Sequence, residues 1–325
     1  MPEPPVAEMA EATNDVVVVG GGAAGLSAAL VLGRARRRVV VVDAGSPRNA
    51  PAAHMQGFLS RDGMPPADLL VAGRAEVVGY GVELIEDVVV DIDDGFVVRL
   101  AGGPVLKARR LLVSTGARDE LPEISGVRER WARDLLHCPY CHGWEVRDQP
   151  IGVLGTNPGS VQHALLVRQW SDDVVFFVHT LDPSSTELVQ LQARGVQVVR
   201  GMVARLVVKA DRLSGVELID GRVIPRTAVF IRPVNVPHAD GLLVGLGCDV
   251  DDAGFAIVDG TGRTSAVGVW AAGNVVDPRF QVITSAGAGS AAAIAINADL
   301  VREDLERAVE SQLDPAGSRS ETEAR

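Results

Sequence analysis

The chain has 325 residues, 47% of them apolar, with 31 basic against 42 acidic side chains and a net charge of −11. That balance argues against a binder of nucleic acid or of an anionic membrane surface, and 4% aromatic residues argue against a base-stacking platform. The length predicts about two domains with real apolar cores, and no apolar run reaches the roughly 20 residues that span a bilayer.

Residues 1–14, rich in Pro, Glu and Ala without periodicity, read as a frayed tail, as do residues 314–325. The opening has no basic stretch followed by an apolar one, so no secretory signal is expected and the cytoplasm is the expected compartment. Asp15–Val19 is a β-branched run predicted to form a buried strand. Gly20-Gly21-Gly22-Ala23-Ala24-Gly25 follows, then helical Leu26–Leu32, then a second apolar strand, Arg38–Val42, ending at Asp43. This βαβ unit carries G-x-G-x-x-G at its strand-to-helix turn, the arrangement a dinucleotide requires. Gly20 permits the tight turn, Gly22 admits a pyrophosphate to the helix N-terminus, Gly25 lets helix and strand pack, and Asp43 can accept from a ribose.

Residues 45–65 read as loop, and Val82–Leu84, Val88–Ile92, Phe96–Leu100 and Leu111–Val113 as strands. The last runs into Ser114-Thr115-Gly116-Ala117, a small-residue turn suited to close approach of a ligand. Next comes His137-Cys138-Pro139-Tyr140-Cys141-His142-Gly143-Trp144-Glu145, with two of the three cysteines two residues apart and a histidine on each side. Four readings compete: a redox dithiol, c-type haem attachment through C-x-x-C-H, half of a zinc site, and two structural thiols. A redox pair needs this spacing to reach disulfide geometry, and flanking histidines favour the thiolate. Haem attachment needs an exported chain, and a closed zinc site needs four ligands. Cys248, far downstream in an apolar segment, reads as a core residue. No metal is assigned.

A second βαβ unit follows: strand Pro150–Leu154, turn Gly155-Thr156-Asn157-Pro158-Gly159-Ser160, helix Val161–Gln169 and strand Asp173–Val178. It repeats the first unit 135 residues on (155 − 20). Its turn is poor for a nucleotide. Asn157 stands where the second glycine belongs, Pro158 brings no N–H, and His179-Thr180-Leu181 offers neither a basic pair nor an acid at the strand end. From about Leu242, Gly254–Val258 and Val267–Ala271 read as short strands. Gly273–Asp277 reads as a turn, and the small-residue run from Ser285 as a helix.

The order of strand–GGGAAG–helix, S-T-G-A, C-P-Y-C, second βαβ and G-V-W-A-A-G-N with its glycine–alanine helix resembles the low-molecular-weight thioredoxin reductases over roughly residues 15–305. The resemblance implies an α/β fold of two Rossmann-like (three-layer ββα) dinucleotide-binding domains, the second inserted in the first. These are an FAD domain of residues 1–117 and 241–325, and an inserted NAD(P)-binding-like domain of residues 118–240 carrying the cysteines. It implies a homodimer. It also implies that Gly20, Gly22, Ala23, Ala24, Gly25 and Asp43 hold the ADP half of FAD, with Gly116 near it and Val88 touching adenine through its backbone. Gly273 and Asn274 would face the ribityl-pyrophosphate, and Gln281 and Val282 the flavin ring. Family members usually carry aspartate where Asn274 stands.

By the same likeness Cys141 meets the flavin and Cys138 exchanges with substrate. His142 stands where the reductases carry an acid/base aspartate, and His137 is either a second, substrate-facing candidate or a capping histidine. C-P-Y-C-H-G-W-E and the damaged second turn are most similar to the branch that oxidises gliotoxin, holomycin and similar dithiols. That branch implies a small-molecule dithiol as partner, FAD as cofactor, oxygen as acceptor and NAD(P)H bound poorly or not at all. An NAD(P)H-fuelled reductase of thioredoxin or another small redox protein, and a flavin-bound redox sensor, are the alternatives.

Overall fold

A computed structural model describes residues 14–238 and 240–313; the expected tails lie outside them, except Asn14, which opens the first strand. In chain order the first stretch forms β1 (Asn14–Val19), α1 (Ala23–Arg34), β2 (Val39–Asp43), α2 (Pro66–Val78), β3 (Glu83–Glu86), β4 (Val89–Asp93), β5 (Val97–Leu100) and β6 (Val105–Val113). The middle stretch forms β7 (Ala117–Glu120), α3 (Val127–Arg130), β8 (Leu135–Leu136), α4 (Pro139–His142), β9 (Ile151–Leu154), α5 (Ser160–Val167), β10 (Val174–Phe177), α6 (Ser185–Ala193), β11 (Gln197–Val199), β12 (Val203–Lys209), β13 (Arg212–Leu218), β14 (Val223–Ile224), β15 (Ala228–Ile231) and β16 (Val234–Pro237). The last stretch forms α7 (Leu242–Gly245), β17 (Val269–Ala271), a 3-10 turn (Gly273–Val275) and α8 (Val282–Leu313). Two compact units result: Met1–Ser46 with Leu70–Gly116 and Pro237–Arg325, and Pro47–Leu69 with Ala117–Val236.

In the first unit β3, β2, β1, β6 and β17 run parallel in that order, and β5 and β4 continue the sheet antiparallel beyond β6. Val16 to Val19 are all nearly inaccessible, as a central parallel strand covered on both faces requires. Val16 and Val18 join Ala28, Leu32 and Ile296 beneath α1 and α8, while Val17 and Val19 join Val89, Val98 and Leu100. In the second unit the parallel order is β11, β10, β9, β15, β8. Val161, Ala164, Val167 and Leu191 of α5 and α6 cover one face, and Val203, Leu206, Leu213 and Val216 of β12 and β13 the other. Both units are thus three-layer ββα sandwiches sharing the order of four parallel strands, which is the α/β, twice-Rossmann fold the sequence implies.

Two expectations change. Gly254–Val258 is no strand: it makes only an isolated bridge, Val250 to Ala256, because Gly254 turns at φ +87° and Asp251 folds back to cap the turn. The segment 47–69, read with the first domain, groups with the second unit, where Arg48 is anchored on Asp119. The small-residue helix is longer than its glycine–alanine run and starts at Val282.

The glycines of α8 have different duties. A Cβ on Gly289 would lie 2.0 Å from the Ala24 carbonyl oxygen, so the α1 and α8 backbones cross there without a side chain between them, whereas one on Gly287 would meet nothing within 4 Å. Gly289→Ala should therefore cost about 1–3 kcal/mol by overpacking. Gly287→Ala should instead stabilise by about 0.5–1 kcal/mol through helix propensity. Urea unfolding of both variants checks the contrast.

Candidate active site

The redox stretch folds as a single helical turn. Cys138 is the N-cap of α4 and Pro139 takes the first position, where no N–H is needed. The turn brings Cys141 back over Cys138, Cα atoms 5.2 Å apart and sulfurs joined as a disulfide. The Cys141 N–H donates to Cys138 Sγ at 3.1 Å, so a Cys138 thiolate would have a backbone donor already in place. Gly143 is needed because a Cβ there would sit 2.8 Å from the Trp170 ring. Both cysteines are half-buried, while Tyr140 and Trp144 beside them are each 66% exposed. Tyr140 meets Trp170 edge-on at 5.6 Å, and the Arg147 guanidinium lies 4.0 Å over the Trp144 ring. Among the described residues no group of three or more His, Cys, Asp or Glu side chains could hold a metal, and buried Cys248 sits apart against Thr264.

Both flanking imidazoles stay neutral at ordinary pH. Burial holds His142 below the usual histidine value, with Glu145 opposing. Burial pushes His137 down to about 4; Asp119 opposes, while Arg48, His142 and Arg232 add to the depression. The sequence reading did not single out Arg48, Asp119, Asn235, Arg232 or His163. His163, on α5, is pushed down to about 3 by burial and then by His137 and Arg232. No motif signals these residues, because they come from β7, α5, the end of β15, β16 and a loop more than eighty residues upstream of α4.

The first glycine turn keeps its backbone available. Gly20 has φ +101° and room for no side chain, since a Cβ would lie 2.4 Å from the Ser114 carbonyl oxygen. Ser114 Oγ in turn donates to the Val19 and Gly20 carbonyls. Gly22 caps α1 with no side-chain partner, and a Cβ there would meet nothing within 4 Å. The N–H groups of Gly22, Ala23 and Ala24 find no acceptor among the described residues. Asp43 ends β2 and is held by Arg74 of α2 at 2.7 Å. Gly116, at φ +82°, is unobstructed, and the buried Thr115 hydroxyl beside it has no partner. These are the features of a cradle for an anionic dinucleotide, and FAD fits them.

Other expected cofactor residues divide. Gly273, at φ +83°, lies against Ala24 with no room for a Cβ. Asn274 donates its amide to the Asp277 and Phe280 carbonyls at 3.0 Å each, fixing the loop that enters α8; an aspartate could not donate, which accounts for the amide. Gln281 precedes α8 and accepts from the Ser285 N–H, and Val282 begins the helix. Val88 is exposed, with its N–H donated to Asp87 and its carbonyl accepting from Ala101.

The second turn is closed from within. Gly155 N–H donates to the Phe177 carbonyl, Thr156 and Asn157 N–H to Ser160 Oγ, Gly159 N–H to Asn157 Oδ1 and Ser160 N–H to the Asn157 carbonyl. Pro158 has no N–H. Arg232 lies so close over Gly159 that a Cβ there would fall 2.1 Å from its Nη1. His179, at the strand end where a ribose would be read, accepts the Val203 N–H on its Nδ1. A nicotinamide dinucleotide does not fit this turn as it stands.

A redox disulfide and an open dinucleotide cradle, carried on twin Rossmann-like units, define a flavin-dependent thiol–disulfide oxidoreductase. Residues 14–290 match the pyridine nucleotide-disulphide oxidoreductase family, and the chain belongs to it. The family's thioredoxin-reductase-like members bind FAD and use NAD(P)H. Thioredoxin reductase sirT of Leptosphaeria maculans is 27% identical over 313 residues, 90% of this chain and 95% of the relative. Thioredoxin reductase aclD of Aspergillus oryzae is 40% identical over 158 residues, 46% of this chain. The chain spans half the length of aclD, as it does of a relative from Arthroderma benhamiae. The crystal structure of HlmI matches with a TM-score of 0.92 at 59% identity, over 94% of this chain and 98% of that one. Among the described residues no helix is long and apolar enough to cross a membrane.

The open space at Gly22 separates binding from folding. Gly22→Ala should remain within about 1 kcal/mol of the parent stability yet lose most of its flavin absorbance on purification. Gly20→Ala should lose both stability and flavin, because its Cβ strikes backbone. Flavin content and thermal melting, measured together, test this.

Proposed function

We propose that this enzyme oxidises a small-molecule dithiol to its disulfide and passes the two electrons through FAD to oxygen, giving peroxide. The observation that carries this reading is the second glycine turn, whose N–H groups from Gly155 to Ser160 are all met within the chain. A pyrophosphate would have to break those bonds to bind, so the electron supply is assigned to the thiol side.

In the exchange, a substrate thiolate attacks Cys138 Sγ and the Cys138–Cys141 bond breaks, leaving Cys141 as thiolate. The second substrate thiol then attacks the substrate sulfur bound to Cys138, closing the product disulfide and releasing Cys138 onto the Cys141 N–H. His142 accepts the protons these steps release. FAD, when bound, supplies the two-electron acceptor that returns the cysteine pair to its disulfide. The half-buried sulfurs between exposed Tyr140 and Trp144 suit a small apolar dithiol. The reading also carries a cytoplasmic setting and a homodimer, for which exposed Ile294, Val301, Leu305 and Val309 along α8 supply an apolar surface. Family membership favours the second reading, an NAD(P)H-fuelled reductase.

Anaerobic mixing decides between them. Dithiols such as dithiothreitol should bleach the flavin, with peroxide appearing on aeration, and NADPH should not; rapid bleaching by NADPH would reverse the direction of electron flow. Cys141→Ser should abolish bleaching by dithiol, and retained bleaching would move the flavin-facing role elsewhere.

The pH profile tests His142. A base must be neutral, and burial lowers its proton affinity. Dithiol turnover should therefore hold as pH falls through the ordinary histidine range near about 6.5 and decline only below it. His142→Ala should lose about 10²–10⁴-fold in rate together with that acid limb.

A further inference from the structure

We propose that Arg48 is a positioning residue that, with Asn235, withholds the Asp119 carboxylate from His137 and so keeps that imidazole uncharged beside Cys138. The consequence for catalysis rests on the dithiol-exchange reading of Cys138; the geometry does not.

A carboxylate next to a buried histidine ordinarily pairs with it and holds a proton on the ring. Asp119 lies on β7 within electrostatic reach of His137, yet its oxygens are already taken. Arg48 grips it with two prongs, Nε at 2.9 Å and Nη2 at 2.5 Å, and Asn235 Nδ2 of the neighbouring β16 donates to it at 2.7 Å. The side chains are only 18% and 10% exposed for Arg48 and Asp119, so solvent screens the pair little. A forked pair of this kind is neutral overall: Asp119 favours a proton on the ring, and the Arg48 charge locked onto it opposes that pull while its hydrogen bonds keep the carboxylate oxygens from the ring.

The other groups facing His137 act in the same sense. Arg48 approaches from the loop before α2, His142 from α4 and Arg232 from the end of β15. None of these favours a proton on His137; Asp119 alone does. The ring's Nδ1 is buried with no partner, so a proton placed there would create an N–H without an acceptor. His163 carries a similarly unpartnered Nε2. The pocket is thus built to hold two neutral rings.

An imidazolium at position 137 would stabilise a Cys138 thiolate and hold the reduced pair back from reoxidation. Keeping the ring neutral leaves the Cys141 N–H as that thiolate's partner and leaves proton transfer to His142. Arg48 therefore acts through Asp119 and His137.

The test uses the flavin-loaded enzyme with ¹³C-labelled histidine, the His137 signal being assigned with His137→Gln. In the parent protein His137 should titrate near pH 4. Arg48→Gln should move the midpoint upward by about one pH unit or more, because Asp119 is released to the ring. Arg48→Lys should give a smaller rise, and Arg48→Gln with Asp119→Asn should return it to the parent position. Dithiol turnover in Arg48→Gln should gain an acid-side ionisation that the double variant lacks. An ordinary histidine midpoint in the parent, or no rise in Arg48→Gln, overturns the proposal. If Arg48→Gln does not fold, Arg48→Lys alone decides: loss of the fork should raise the His137 midpoint, and no rise overturns the clamp. Because the titration needs no turnover, a protein inert to dithiols that shows these shifts retains the clamp and loses the oxidase reading.

Discussion

The first turn of a helix carries N–H groups that the helix itself cannot satisfy. Whatever meets them decides what the turn is for, and this chain answers the question twice in opposite ways. Where β1 passes into α1, glycine and alanine leave the N–H groups facing open space at Gly22, with Asp43 and the unpartnered Thr115 hydroxyl nearby. Where β9 passes into α5, Asn157 and Ser160 turn their side chains back on the same backbone and consume its donors. The two turns close nearly the same strands in the same order, but the second is two residues longer between strand and helix and its first glycine lacks the positive φ of Gly20. One unit keeps the means to hold an anionic dinucleotide; the other has exchanged it for a self-contained loop.

That exchange makes physical sense as stability gained from function relinquished. An open phosphate cradle leaves buried donors unmet until ligand arrives, at about 1–3 kcal/mol for each unsatisfied group. Asn157 and Ser160 remove that cost locally, and Pro158 removes one donor altogether. Arg232, stacked on Gly159, occupies the approach that a close-packed pyrophosphate needs. A positive charge near a helix N-terminus is unfavourable by itself, and its proximity to the neutral rings of His137 and His163 gives it a second duty in holding them uncharged.

Much of the architecture was legible because its signals are local. The continuous valine runs, the glycine spacing and the 135-residue repeat each follow from periodicity or turn chemistry within a few residues. The cysteine pair was legible for the same reason: C-x-x-C fixes its own geometry in one helical turn. Three features were hidden. Gly254–Val258 looks like a strand, but an Asx-type turn at Asp251 and a positive φ at Gly254 take its backbone bonds. The loop 47–69 carries no sequence mark of the unit it joins, since one buried ion pair, Arg48 with Asp119, anchors it across seventy positions. Asn274 looks like a weakened aspartate and is instead a donor to two loop carbonyls.

What could not be read from any motif is the electrostatic setting of the two histidines, and that setting shapes the chemistry more than their presence does. C-x-x-C with a histidine on each side suggests two equivalent proton carriers. Folded, they are not equivalent. His142 has one acidic neighbour, Glu145, which opposes the lowering that burial causes. His137 has an acid within reach whose oxygens are spent elsewhere, three groups that oppose its charge, and a ring nitrogen sealed from any acceptor. A proton delivered to the redox pair therefore has one good carrier. Placing the ring that exchanges protons on one side and the sealed neutral ring on the other gives the two sulfurs different surroundings, although they share a single turn of helix.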